Sequence, residues 1–311
     1  MTALVRTVLG DVPARELGAV DSHDHLHLRS AQLPGQELDD QAAAAAELGA
    51  FRAAGGGTVV QWTPYGLGRR AERLAELSRA TGVHVLAATG LHQARHYPPG
   101  AVERAGDLAR LFVQELTEGL RADDGSPLPV RASLVKVAGS YHGLDAHART
   151  VLAAAAEAHR ATGAPIAVHL EQGTAAAEVL ALLCDRLAVP PERVVLGHLN
   201  RFPDLRLHRE AAERGAYLCF DGPSAAHHAT DWRLLDALQE LADAGHVRQL
   251  LLGGDTTTAR ARSFGAGGAG PGMPFLLTGL RPRLRRELGE EAAELLFVGN
   301  PARAFALPVP D

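Results

Sequence analysis

A chain of 311 residues, 46% apolar and 22% charged, can bury a large core. Its net charge of −5 gives no footing for nucleic acid or an anionic membrane surface, and no run approaches the roughly 18 apolar residues of a membrane span. Cys184 and Cys219 are too far apart in sequence for a CxxC pair, which argues against a disulfide scaffold or a thiolate zinc site. With an N-terminus that lacks a signal-peptide apolar segment, they predict a cytoplasmic, reducing compartment.

In chain order, residues 1–17 read as an arm or hairpin ahead of a first strand at 18–23. An alanine-rich helix at 41–54 leads to a strand at 57–62, a helix at 69–80 and a strand at 83–89. A helix at 101–121 and a turn-rich connection at 121–130 precede the fourth strand, 132–138. Helices at 145–161, 174–188, 204–214 and 231–244 then alternate with strands at 165–170, 193–198, 216–221 and 247–253. A loop at 256–273, glycine-rich over 265–272, reads as a substrate lid, and helical sequence runs on to about 296. Eight strands, most followed by a helix, predict an α/β fold, a (β/α)8 TIM barrel in one domain over 1–311. A doubly wound open sheet is the alternative, but no GxGxxG turn supports it.

Barrel enzymes draw their catalytic groups from the C-terminal ends of different strands. The residues at those ends are His23, Asp24 and His25, then Lys136, His169, His198 and Asp255. His23 and His25 share strand parity, so both can point inward onto one ion. His27 has the same parity but lies beyond the strand. Nitrogen and oxygen donors of this kind suit zinc, with manganese, iron or cobalt as alternatives. Lys136 is the only lysine among 31 basic residues, in a composition that otherwise uses arginine wherever positive charge suffices. Lysine can lose its proton and arginine cannot. Reaction with CO₂ would turn Lys136 into N6-carboxylysine, an anionic ligand able to bridge two cations; the plainer reading is a buried lysine paired to a carboxylate.

The chain resembles the phosphotriesterase-like family of the amidohydrolase superfamily over essentially its whole length. The matching segments are SHDHL at 22–26, AATGLH at 87–92, LVKVA at 134–138, AVHLEQG at 167–173, VVLGHLNRFPD at 194–204, FDGPS at 220–224, LLLGGD at 250–255 and NPARAF at 300–305. The resemblance implies two divalent metal ions: a buried one held by His23, His25 and Asp255, and an exposed one held by His169 and His198. Carboxylated Lys136 would bridge them. It further implies a hydrolase that attacks with a bridging hydroxide, with Asp255 as proton acceptor, and a homodimer as the common assembly.

Family members open lactones or cleave phosphotriesters and other esters and amides, so loop residues must choose the substrate. His92, Gln93, Arg95, His96 and Tyr97 follow the third strand, Arg201 follows His198, and Ser224, His227 and His228 lie after the seventh. Arg260 and Arg262 lie in RARSFGAGGAGPG, which resembles the arginine-bearing lid of sugar lactonases, some acting on phosphorylated substrates. His92, Tyr97, Arg201, His227, Arg260 and Arg262 are therefore the candidate contacts to a small, anionic lactone. Gln93, Asn200, Cys219, Ala225 and His227 depart from residues that such relatives tend to carry, which points to an altered pocket. A phosphotriesterase or N-acyl amide hydrolase is the alternative, and a non-catalytic binding protein on the same barrel is a third reading.

Overall fold

A computed structural model describes residues 3–224, 229–265 and 267–307. Two short strands, β1 (Leu4–Thr7) and β2 (Gly10–Pro13), pair antiparallel as an N-terminal hairpin. Eight strands follow: β3 (Ala19–Asp24), β4 (Gly56–Gln61), β5 (His84–Thr89), β6 (Leu134–Ala138), β7 (Ile166–His169), β8 (Val194–Gly197), β9 (Tyr217–Asp221) and β10 (Leu250–Gly253). Each pairs in parallel with its sequence neighbours, giving the order β3 to β10 without a break. No ladder joins β10 to β3, yet the two ends meet. Asp255 N donates to His23 O at 2.9 Å, and Gly254 N donates to the Asp21 carboxylate at 3.1 Å. Gly253 is needed there because a Cβ on it would run into the backbone and Cβ of His23. The eight strands thus form the expected α/β barrel, closed at its seam by loop contacts.

The period-2 alternation of the strands sorts their residues into two cores. Val20, Val60, Leu86, Leu134, Ala167, Val195, Cys219 and Leu251 face inward, and Trp62 caps this interior. Val59, Val85, Val135, Val137, Val168, Leu218 and Leu252 face the surrounding helices. Val5 of the hairpin and Phe305 join the inner cluster. Lys136 lies between Val135 and Val137, with the parity of Leu134, so its side chain goes into the barrel.

The outer helices are α1 (Gln41–Ala53), α2 (Ala71–Thr81), α3 (Ala101–Arg104), α4 (Leu108–Thr117), α5 (Ala146–Thr162), α6 (Ala176–Leu180), α7 (Leu205–Glu213), α8 (Leu234–Asp243), α9 (Arg281–Leu288), α10 (Glu290–Glu294) and α11 (Asn300–Ala304). Asp40, Asp107, Asp145 and Asp204 cap α1, α4, α5 and α7 by accepting from first-turn N–H groups. The single helix expected at 101–121 is instead two. Gly106 takes a left-handed conformation at φ +70°, and the Asp107 carboxylate accepts from Arg110 N, starting α4 afresh. Helical structure also continues beyond 296, to Ala304.

Candidate metal centre

Among the described residues, six imidazoles gather at the C-terminal mouth of the barrel. Ring centroids lie 5.5 Å apart for His23 and His25, 4.8 Å for His23 and His198, and 4.3 Å for His169 and His198. His92 continues the arc, 4.5 Å from His169 and 4.2 Å from His96. His23 stacks on Trp62 at 3.8 Å, and the Trp62 indole N–H donates to Ser22 O at 2.9 Å. The tryptophan therefore forms a floor that sets the His23 ring plane. His25 is oriented by Thr63, whose hydroxyl lies 2.8 Å from His25 Nδ1 and donates in turn to His27 O.

Asp255 and Asp221 supply the negative charge. Asp255 Oδ1 lies 3.4 Å from His23 Nε2 and 3.6 Å from His25 Nε2. Asp221 Oδ2 accepts from His198 Nδ1 at 2.8 Å and from Arg201 Nε at 3.1 Å. Arg201 also pairs with Asp255. Burial alone would raise both carboxyls; His198 and Arg201 beside Asp221, and Arg201, His198 and His23 beside Asp255, hold them well below the usual carboxylate range. His25 and His198 are pushed down to about 4, chiefly by burial, so their rings are neutral and carry a lone pair for a cation. His198 and Asp255 also hold positive φ values, +67° and +46°, a conformation that costs free energy in residues other than glycine and gathers at functional sites.

Lys136 sits among these groups, buried, with Nζ 3.1 Å from His92 Nδ1. Burial pushes its ammonium down to about 7, against the pull of Asp255. Beyond it, His198 Nε2 and His169 Nδ1 converge at 2.7 Å, and His169 Nε2 reaches Glu171 at 3.2 Å.

These donors fit divalent cations. His23, His25 and Asp255 hold one donor atom each within 4.8 Å of one another, and so do His23, His198 and Asp221. His23 Nδ1 and Asp221 Oδ1 are buried 3.4 Å apart and neither makes a hydrogen bond, as donor atoms facing an ion would be.

All six residues expected to hold metal line one cavity of about 360 Å³: His23, His25, Lys136, His169, His198 and Asp255. His92 and Arg201 line it as well. Other expected contacts fall elsewhere. Tyr97 is buried behind the wall, its hydroxyl accepting from His92 N at 2.8 Å and donating to Tyr65 O at 3.1 Å. Arg262 is also buried; it donates to His25 O and Leu26 O and braces the HxH backbone instead of facing the mouth. Arg260 is exposed and lines no part of the cavity, and His227 and Ala225 lie outside the described residues. His27 turns to Leu38 O, as its place beyond the strand suggests. Asn200 accepts from Asp221 N at 2.9 Å and is a brace. Cys219 lies inside the barrel, its thiol pushed up by burial and therefore unreactive.

Sequence reasoning missed Asp221, although it ends its strand as a metal-ligating carboxylate would. It also missed Trp62, which carries no motif of its own, and Glu171, which lies in the AVHLEQG segment two residues after His169.

The model of the phosphotriesterase family matches residues 3–305. The chain belongs to the phosphotriesterase family. Among its relatives in that family, a phospho-furanose lactonase of Mycoplasmopsis synoviae is 30% identical, covering 97% of this chain and 91% of its own. The phosphotriesterase homology protein of Escherichia coli is 29% identical over 91% of this chain and 96% of its own. The crystal structure of a lactonase from Listeria monocytogenes superposes with a TM-score of 0.90 at 28% identity, covering 99% of this chain and 100% of that one. Membership makes the chain a relative of metal-dependent hydrolases, and the buried His/Asp clusters are metal-site candidates in keeping with that.

Proposed function

We propose that the protein is a binuclear metal-dependent hydrolase that opens a lactone or related carboxylic ester. The observation that carries this reading is the convergence of His23, His25, His169, His198, Asp255 and the single lysine, Lys136, on one cavity. Two divalent ions, zinc first among them, would supply Lewis acidity toward the substrate carbonyl and a water acidic enough to ionise near neutral pH. His23, His25 and Asp255 would hold one ion and His169 and His198 the other. Lys136, as N6-carboxylysine, would lie between them. A lysine held near neutrality by burial is partly an amine at pH 7, the form that reacts with CO₂.

The chain's own groups do the rest. Asp255 would take a proton from the attacking water at its carboxylate and return it to the leaving oxygen. Arg201, paired to both Asp255 and Asp221, fixes their orientation. Leu28, Leu33, Pro64 and Leu67 form an apolar wall that excludes water from one side of the cavity.

That wall bears on the choice among lactones. Among the described residues, the arginines lining the cavity are already spent: Arg95 pairs with Glu171 at 3.0 Å, and Arg201 with Asp221 and Asp255. A neutral lactone with an aliphatic or ring substituent fits better than an anionic one. A neutral phosphotriester would meet the same apolar wall and is the second reading.

A panel of alkyl γ- and δ-lactones, a phosphorylated sugar lactone, N-acyl amino acids and a paraoxon-like triester, given to metal-replete protein, tests this. The expected result is a kcat/KM for neutral lactones at least tenfold above that for the phosphorylated one. No lactone turnover would sink the proposal. Replacing Lys136 by arginine keeps the positive charge but removes the carboxylation chemistry. Lys136→Arg should lose most bound metal by elemental analysis and at least about a hundredfold in kcat/KM, the scale of losses for a direct ligand to the reacting centre.

A further inference from the structure

A second crevice, of about 320 Å³, opens beside the metal cavity and shares a wall with it. Neighbouring residues in the chain part between the two. Leu28, Leu67 and His92 line the metal cavity, whereas Arg29, Gly68 and Leu91 line the crevice. Arg29 N donates to Leu67 O at 2.8 Å and staples the wall.

Four arginines line this crevice, and none of them belongs to the catalytic constellation. Two are neutralised: Arg29 by Asp39 at 3.2 Å, and buried Arg69 by Glu115. The other two, Arg104 and Arg121, have no carboxylate partner among the described residues. Arg104 donates to Pro99 O at 3.4 Å, and Arg121 donates to Gln114 Oε1 at 3.1 Å. A guanidinium carries five N–H donors, so most of the donor capacity of both is unspent. Among the described residues, Asp123 is the one acid on the lining outside these pairs, and it leaves the crevice with a net positive charge. Low-dielectric walls around like charges concentrate their field, and guanidinium forks match the oxygens of phosphoryl and carboxylate groups.

We propose that this crevice binds a small molecule through an oxyanion group gripped by Arg104 and Arg121. The chemistry is common to phosphoryl and carboxylate ligands, so two probes are needed. Inorganic phosphate and malonate are each titrated calorimetrically into the metal-loaded protein at low ionic strength, for the wild type, Arg104→Ala, and Arg104→Ala/Arg121→Ala. The expected result is a site for at least one anion whose Kd weakens at least tenfold in the double variant, while lactone turnover in anion-free buffer stays within twofold. The tighter of the two probes assigns the ligand as phosphoryl or carboxylate. Phosphate drawn to the metal centre itself would bind equally to all three proteins and compete with substrate. Equal binding of that kind, or no saturable binding of either anion by the wild type, would overturn the proposal. Arg104 is exposed, so its single variant reports on the site even if loss of Arg121 perturbs the α4 end. The readout is binding, so the outcome stands apart from whether the metal centre opens lactones.

Discussion

Asp221 connects most of the charged groups at the mouth of the barrel. Its carboxylate accepts from His198 and Arg201, and Asn200 holds its backbone N–H. Its second oxygen faces His23 Nδ1 at 3.4 Å. An asparagine there would keep the shape and lose the charge that orients His198. Carboxylates that orient a ligating histidine are worth roughly 10–100-fold in metal affinity or activity. Asp221→Asn should lower kcat/KM or zinc affinity by that amount; values within twofold of wild type would show that Asp221 only fills space. Composition drew attention to Lys136 as the lone lysine in an arginine-rich chain, and the fold places it, buried, on the wall of the cavity. Arg262 was misleading for the complementary reason. Proximity in sequence to Asp255 suggested the mouth, but its guanidinium is turned inward to the buried carbonyls of His25 and Leu26.

At the scale of elements, the loops after the strands are fixed by buried polar contacts as much as by apolar packing. Arg69, just ahead of α2, forms a buried pair with Glu115 of α4, and Thr89 at the end of β5 donates to the same carboxylate at 2.6 Å. Such a pair has little net worth against an apolar replacement, but it ties three elements into one register. His208 in α7 gives this layer a pH dependence. It is buried, with Nε2 3.1 Å from Phe202 O, and burial lowers its pKa from 6.5 to about 4. Between those values the unfolded chain binds a proton that the folded chain does not, so stability falls as pH drops through the window. The loss approaches about 3 kcal/mol at the acid end. Urea unfolding of His208→Gln at pH 7 and pH 4.5 should show a smaller difference than wild type; an unchanged difference would remove His208 from the account. The break between α3 and α4 belongs to this scale too. The apolar periodicity runs through it, and only the pairing of Gly106 with Asp107 marks it.

For the molecule as a whole, the barrel interior is a packed core, and Phe305 and Val5 belong to it although they come from opposite ends of the chain. Val5 bridges to Ala306, and Leu307 N donates to Leu4 O at 2.7 Å, so the two ends of the described chain are stitched together against the barrel. Phe305→Ala should cost about 3–5 kcal/mol by chemical denaturation, the usual range for an aromatic removed from a packed core. The candidate metal centre lies at the opposite, C-terminal ends of the strands, so metal content should stay near wild type under native conditions. A loss below 1 kcal/mol would show that this end of the chain is not part of the core.

The sequence by itself determined the eight strands, because their β-branched and apolar runs alternate with segments of helical period. It also determined which ligand-type side chains stand at strand ends, because strand parity and position are local properties. Tertiary structure alone decided which of the arginines reach the cavity, that Asp221 joins a candidate metal cluster with His23 and His198, and that the crevice beside it carries two guanidiniums without carboxylate partners among the described residues. Those are facts of side-chain direction and of charge pairing across distant loops. Charge pairing is set by which neighbours the fold brings within about 4 Å, a distance that sequence spacing does not encode.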